Sequence, residues 1–282
     1  MRGHAAGLPQ PPAKRRGLRR GSLTPELIVA ESVRLLDDGG TAGFSLPRLG
    51  RALGADPTAV YRHFASKDDL ILAIADHLIQ EAMAGLSPRD CWLDTVIETM
   101  VRLRQTYRSH PAAASLAASR TPLRKAELKT VDVLIGAVLD AGFEGAEAVR
   151  IYRALGRFAL SWSRGEAAVL ALDARLQEND RTAWARAYRA VDRGEYPHIW
   201  QVREDLPGAG ADDTFDAVLS LIVAGLIQRA PRRCRCPGHT PSRMAAALLP
   251  RRGESAAARW GLWGLTASAA GRRRGTTQRR TW

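Results

Sequence analysis

The sequence predicts an all-α chain. Apolar residues return every three to four positions along most of residues 24–228, the spacing of one helix face. Helix starts and stops recur at short intervals, with Ser, Thr or Asp ahead of the apolar runs and Gly behind them. No stretch shows the two-residue alternation of a half-buried strand.

The first helix starts at Thr24-Pro25-Glu26, a capping residue followed by proline where its missing N–H costs nothing. Leu27, Ile28, Val33, Leu35 and Leu36 give its apolar face, and Gly39-Gly40 is read as its stop. Ser45 caps a second, short helix with Leu46, Leu49 and Leu53 inward and Gly54 just past its end. Asp56-Pro57 opens a third helix almost at once. Ser66 and Asp69 form a capping-box-like start for a fourth, running through Leu70, Ile71, Ile74, Leu78 and Ile79.

Longer amphipathic runs follow at 92–107, 123–141 and 146–170, with a weaker one at 182–192. Pro197 and Pro207 bracket a loop with a short turn. The last helix, Asp212 to Gln228, is apolar nearly all round from Val218 to Ile227 apart from Ser220, so it must bury every side, against its own core and against something else.

Charge separates the ends from the body. The chain of 282 residues has a net charge of +13. Residues 1–21 hold six Lys/Arg and no acid, and residues 229–282 hold 13 Arg and one acid, Glu254. Residues 22–228 are left with a net of −5. DNA binding must therefore be argued from local geometry, not from bulk charge. The domain reading is a basic, disordered arm at 1–21, a helix-turn-helix domain at 22–85, an effector-binding and dimerisation domain at 90–230, and an Arg-rich low-complexity tail at 231–282.

The stretch from Gly54 to Lys67 carries the chemistry. A helix ending at Gly54, a tight turn and a short helix from Pro57 make a helix-turn-helix. At helical spacing Val60 and Phe64 point inward onto Leu49 and Leu53. Thr58 and Arg62 point outward, with Tyr61 on one flank and Ala59 and His63 on the other. Outward residues suit base edges in a major groove and the flanks suit phosphates. Lys67 sits in the first turn of the next helix, where free N–H groups also favour phosphate. The bland alternative is a tight helical hairpin with polar residues in water.

"SLPRLGRALGADPTAVYRHFASKDDL" resembles the DNA-binding domain of TetR-family transcriptional regulators. "YRSHPAAASLAASRTP" and "AGFEGAEAVRIYRALGRFAL" resemble the ligand-binding domain of the tetracycline repressor's own subfamily. The resemblance implies phosphate contacts by Tyr61, His63 and Lys67, anchoring of the second helix by Ser45, and base contacts by Thr58, Ala59 and Arg62. It also implies double-stranded operator DNA as a partner and a homodimer formed through the helices at 146–170 and 212–228. Tetracycline-responsive members hold the drug's magnesium through a histidine; the reading places Leu116 there, with Thr99 and Leu103 where those members carry Asn and Phe. A small apolar or aromatic effector, bound without a metal ion, is expected instead, near Leu103, Tyr107, Leu116, Phe158 and Trp162.

Other classes find little footing. No P-loop, H-E-x-x-H or G-x-S-x-G occurs, so no enzyme and no cofactor are expected. Cys234, Cys236 and His239 lie in the Arg-rich tail and are read as a chance grouping, and His110 as a helix-end residue. Three unevenly placed cysteines make no disulfide framework, so a cytoplasmic protein is expected, and with no long apolar run no membrane partner is expected. The runner-up is a protein that binds or compacts DNA without sequence preference through its basic ends.

Overall fold

A computed structural model describes residues 23–86, 91–117, 119–208 and 210–232. The arm, nearly all of the Arg-rich tail and the Cys234, Cys236 and His239 grouping lie outside them. The described residues hold ten α-helices, two short 3-10 helices and no strand.

Helix α1 (Pro25–Gly43) is capped as its sequence predicts: the Leu27 N–H donates to Thr24 Oγ1 at 3.2 Å. The regular helix is interrupted at Gly40, as Gly39-Gly40 predicts: Gly40 takes φ 63° and ψ −172°, outside the helical region and available to glycine at little cost, and one further helical turn beyond this kink carries the element to Gly43. Helix α2 (Leu46–Leu53) ends at Gly54 in the left-handed region, as expected. The next element is a correction: Pro57–Arg62 is a 3-10 helix, not an α-helix. Six residues held between an Asp56 cap and His63 give too few i→i−4 bonds to favour the wider coil. Helix α3 (Lys67–Ala82) starts on Ser66, whose Oγ accepts the Asp69 N–H at 3.0 Å.

Beyond it come α4 (Trp92–Ser109), α5 (Pro111–Ala117), α6 (Lys125–Asp140), α7 (Gly145–Leu170), α8 (Ala174–Arg189), α9 (Pro197–Val202) and α10 (Ala211–Arg229). Three boundaries differ from the sequence reading. Helix α6 begins at Lys125 because Leu123, at φ 51°, is outside the helical region and its N–H is taken by Glu127 Oε2 at 2.6 Å. The weak run at 182–192 belongs to a longer helix beginning at Ala174, with Asp173 accepting the Arg175 N–H. Pro197 starts a helix rather than a loop, using its fixed φ at the first turn.

Two cores form. One gathers Leu93, Val96, Ile97 and Met100 of α4, Leu134 and Val138 of α6, Leu155 of α7, and Phe215, Leu219 and Val223 of α10. The other gathers Ile28 and Leu36 of α1, Leu49 and Leu53 of α2, Val60, Phe64, and Leu70, Ile74 and Leu78 of α3. This second core does not stop at residue 85. Tyr107 of α4, Ala113 and Ala114 of α5 and Ala167 of α7 are buried in it. The small helix α5 is thus the wedge on which α1–α3 sit.

Candidate nucleic-acid interface

The reading element is set by backbone contacts rather than by its own length. Gly54 folds back so that the Ala55 N–H reaches the Gly50 carbonyl at 2.9 Å. Asp56 Oδ1 then accepts the Thr58 N–H at 2.8 Å and the Thr58 hydroxyl at 2.5 Å. Those two bonds hold the Asp56 carboxyl below its ordinary pKa, the side-chain bond counting most. Val60 and Phe64, 1% and 3% exposed, anchor the 3-10 turn onto Leu49 and Leu53. The inward half of the sequence reading is therefore what the structure shows.

On the outer side Thr58, Tyr61, Arg62, His63 and Lys67 are all exposed, while Ala59 and Ser45 are half-buried. Tyr61 leaves half of its surface open, at 50%. Five of the seven sequence-predicted residues are thus open to solvent, but with Thr58 already tied to Asp56. Ser45 caps α2 weakly, its Oγ accepting the Arg48 N–H at 3.4 Å. Lys67 lies at the start of α3 with its ammonium 6.0 Å from the centre of the Phe44 ring, at the outer limit of a cation–π contact. Sequence reasoning passed over Arg48 and Arg51, exposed cations on α2. Two arginines three residues apart on one short capped helix were the available signal.

Behind the reading surface, α3 is tied to the body by carboxylates. Asp68 takes Arg120 in a two-pronged pair with both contacts near 2.5 Å, and this hydrogen bonding lowers the Asp68 pKa. Asp69 takes Arg124 at 2.5 Å. Asp76 accepts the Glu127 N–H at 3.0 Å, so a side chain of α3 serves the open N-terminus of α6. Three consecutive residues, Lys67 to Asp69, therefore join an exposed cation to the segment leading into α6.

The five residues named for an effector divide. Leu103, 5% exposed, lies in the core of α4, α6, α7 and α10, with Phe158 and Trp162 packed against it. Phe215 stacks on Phe158 at 5.4 Å and meets Trp162 edge-on at 5.6 Å. Tyr107 and Leu116 belong to the other core, and burial raises the Tyr107 pKa. A charged pair sits beside the aromatic trio. The Arg104 guanidinium lies 4.4 Å from the Phe215 ring centre and forks onto both oxygens of Glu166 at 2.8 Å. Ser163 Oγ, next in sequence to Trp162, is buried without a hydrogen-bond partner among the described residues. Thr99 spends its hydroxyl on the Thr95 carbonyl at 2.7 Å. Among the described residues no group of His, Cys, Asp and Glu could hold a metal ion, and no helix is long and apolar enough to cross a membrane.

Known proteins match both parts of the chain. Residues 28–74 match the family described as bacterial regulatory proteins, tetR family, and residues 84–230 match the tetracyclin repressor-like C-terminal domain. An HTH-type transcriptional regulator of Saccharopolyspora erythraea is 28% identical over 210 residues, 74% of this chain and 86% of that one. The class A tetracycline repressor protein from transposon 1721, from Escherichia coli, is 26% identical over 209 residues, covering 73% and 92%. Among solved structures, a TetR transcriptional regulator from Streptomyces coelicolor superposes with a TM-score of 0.61 at 26% identity, covering 72% of this chain and 97% of that one. An all-α fold, a helix-turn-helix with its cations outward, and matches that together span residues 28–230 apart from a short gap identify the chain as a helix-turn-helix transcriptional regulator belonging to the TetR family.

Proposed function

We propose that the chain is a homodimeric repressor that holds a palindromic operator through Tyr61, Arg62, His63 and Lys67 and leaves it when a small apolar or aromatic effector binds the body. The observation that carries this is the run Lys67-Asp68-Asp69. Its first residue is exposed beside the reading turn, and its next two are paired with Arg120 and Arg124 of the segment leading into α6. A shift of α6 has a direct mechanical route to α3. A ligand moves that equilibrium only through different affinities for the DNA-bound and DNA-free forms. Arg62, with Thr58 and Ala59, is assigned to bases, and Tyr61, His63 and Lys67 to phosphates, with Ser45 fixing α2 beside them.

Phe158, Trp162 and Phe215 form an aromatic wall, and the buried Ser163 hydroxyl lacks a partner that an effector oxygen could supply. Leu103 extends that wall in the same core. Tyr107 and Leu116 lie in the other core, under α1–α3, and are assigned to transmission as much as to contact.

Leu221 of α10 is 74% exposed and Val149 of α7 46% exposed, apolar surface that a second copy of the chain would cover. Leu221→Arg is expected to shift the sedimentation of the protein from dimer to monomer; an unchanged dimer would place the interface elsewhere.

The experiment for the main reading is a DNA-release screen. Hydrophobic compounds and tetracyclines are tested on an operator complex with and without EDTA. Release by an aromatic compound that EDTA leaves unchanged supports the reading. Release only by a tetracycline, abolished by EDTA, would overturn the metal-free pocket. The basic ends favour one competing reading, a DNA-compacting protein; steep salt dependence without sequence preference is its mark.

A further inference from the structure

His110 closes α4 and precedes the proline that opens α5, so it sits at the corner on which α1–α3 rest. Its backbone is spent locally: its N–H reaches the Thr106 carbonyl at 3.1 Å, and its carbonyl accepts the Ala114 N–H at 2.8 Å. Its ring is not. Nδ1 lies 2.7 Å from Asp37 Oδ2 on α1, and Nε2 lies 3.2 Å from Glu81 Oε1 on α3. These partners stand 73 and 29 residues away in sequence, so the contacts are purely tertiary.

A neutral imidazole carries one N–H. With carboxylates at both nitrogens, one contact would set a lone pair against a negative oxygen. Only the doubly protonated ring donates to both. The ring thus has two states that differ in how many helices it holds.

We infer that His110 is a proton-operated clasp between the DNA-reading helices and the body: charged, it ties both α1 and α3 to the α4–α5 corner, and neutral, it lets one of them go. The inference rests on the reading of α1–α3 as the DNA-binding unit.

The surroundings set the sign. The charges acting on the ring are Asp37 from α1 and Glu81 from α3, with Asp38 acting on Asp37. Helix α5 has no ionisable side chain, and Arg108, near the end of α4, is drawn 3.0 Å from Glu166 on α7. Burial opposes the charged ring, but the hydrogen bond and charge of Asp37, joined by Glu81, outweigh it, and the His110 pKa is raised. Burial likewise raises Asp37, the His110 bond acting against it. The His110 shift is upward, so its stabilisation is full below the ordinary histidine value and is lost as pH rises through the raised one, while the Asp37 shift acts from the carboxylate range upward.

The test uses the full chain with isotope-labelled histidine. The His110 signal, identified by its loss in His110→Asn, is expected to titrate above the ordinary value of about 6.5, and Glu81→Gln to move it down. The thermal midpoint of the wild type should fall across that titration, and His110→Asn should lack this component. These two readouts need no DNA, so they stand if the repressor reading fails. The third is operator affinity at fixed salt. Its pH dependence should differ between wild type and His110→Asn by roughly threefold between about pH 6.5 and 8.5, the size that one partly exposed charge-assisted bond supports. The variant comparison removes every pH-dependent contribution that the two proteins share. A His110 titration at or below the ordinary value would overturn the clasp. So would matching pH profiles of operator affinity, since the contact would then be structural only.

Discussion

Gly50 of α2 and Pro57 of the following 3-10 helix are packed backbone against backbone: a Cβ placed on Gly50 would lie 2.9 Å from the Pro57 nitrogen and 3.0 Å from the Ala55 carbonyl oxygen. Real Cβ atoms do not come this near to main chain, and no flexible side chain is there to yield. The angle between α2 and the reading turn therefore depends on one missing methyl group. Gly50→Ala is expected to cost about 1–3 kcal/mol in urea unfolding, the usual range for overpacking. It should weaken operator binding further still, because the turn must splay to admit the methyl. Wild-type affinity in a stable Gly50→Ala protein would show that the turn has slack.

Reading and positioning are separable at the exposed surface. Arg62→Ala is expected to cost about 1–3 kcal/mol at one base position and to relax specificity there. Tyr61→Phe and Lys67→Ala remove phosphate partners and should weaken every sequence alike, with a shallower salt dependence for the lysine. Binding titrations on operator and scrambled duplexes decide it. Equal weakening of both duplexes by Arg62→Ala would reverse the assigned roles.

The body has its own test in the Arg104–Glu166 pair. Both side chains are 9% exposed, and Arg104 also lies on the Phe215 ring. Glu166→Ala removes a two-pronged ion pair from a guanidinium that is 9% exposed, which costs about 3–5 kcal/mol in comparable sites. Chemical denaturation measures this; a loss under about 1 kcal/mol would mean that water or another acid takes the place of Glu166.

The tail offers a boundary rather than a site. The Arg232 N–H donates to the Ala141 carbonyl at 2.9 Å, and Pro231 and Arg232 pack against Gly142, whose φ of 90° suits glycine. A chain cut after Arg232 should keep its helicity and operator preference while its affinity depends less steeply on salt, since the lost arginines add only sequence-independent attraction. Loss of the soluble dimer in that variant would assign the tail a structural part.

What the sequence made legible was local. Thr24, Ser45 and Ser66 announce helix starts through side chains that cap their own N-termini, and Gly54 announces a stop, so α1 to α3 and the exposed residues between them could be placed in advance. The 3-10 geometry of Pro57–Arg62 could not, because a six-residue segment carries no period and takes its form from the packing of Val60 and Phe64. Helix α5 was hidden for a related reason: its buried face is Ala112, Ala113, Ala114 and Ala117, which give close approach without a strong apolar signal. Long-range pairs such as Arg120 with Asp68 and His110 with Asp37 have no sequence mark at all. The split of Leu103 from Tyr107 between two cores has the same origin: one helix, α4, serves both, and periodicity does not say which neighbour each residue meets.

The most direct measurement is a footprint of the full-length protein on the DNA flanking its own gene, at about 200 mM salt and with excess competitor DNA, where unspecific attraction is weak. The account predicts one protected palindrome with half-sites centred roughly 34–36 Å apart, one helical turn, and its loss with Arg62→Ala. Protection spread evenly along the fragment, fading with salt and indifferent to Arg62, would contradict it.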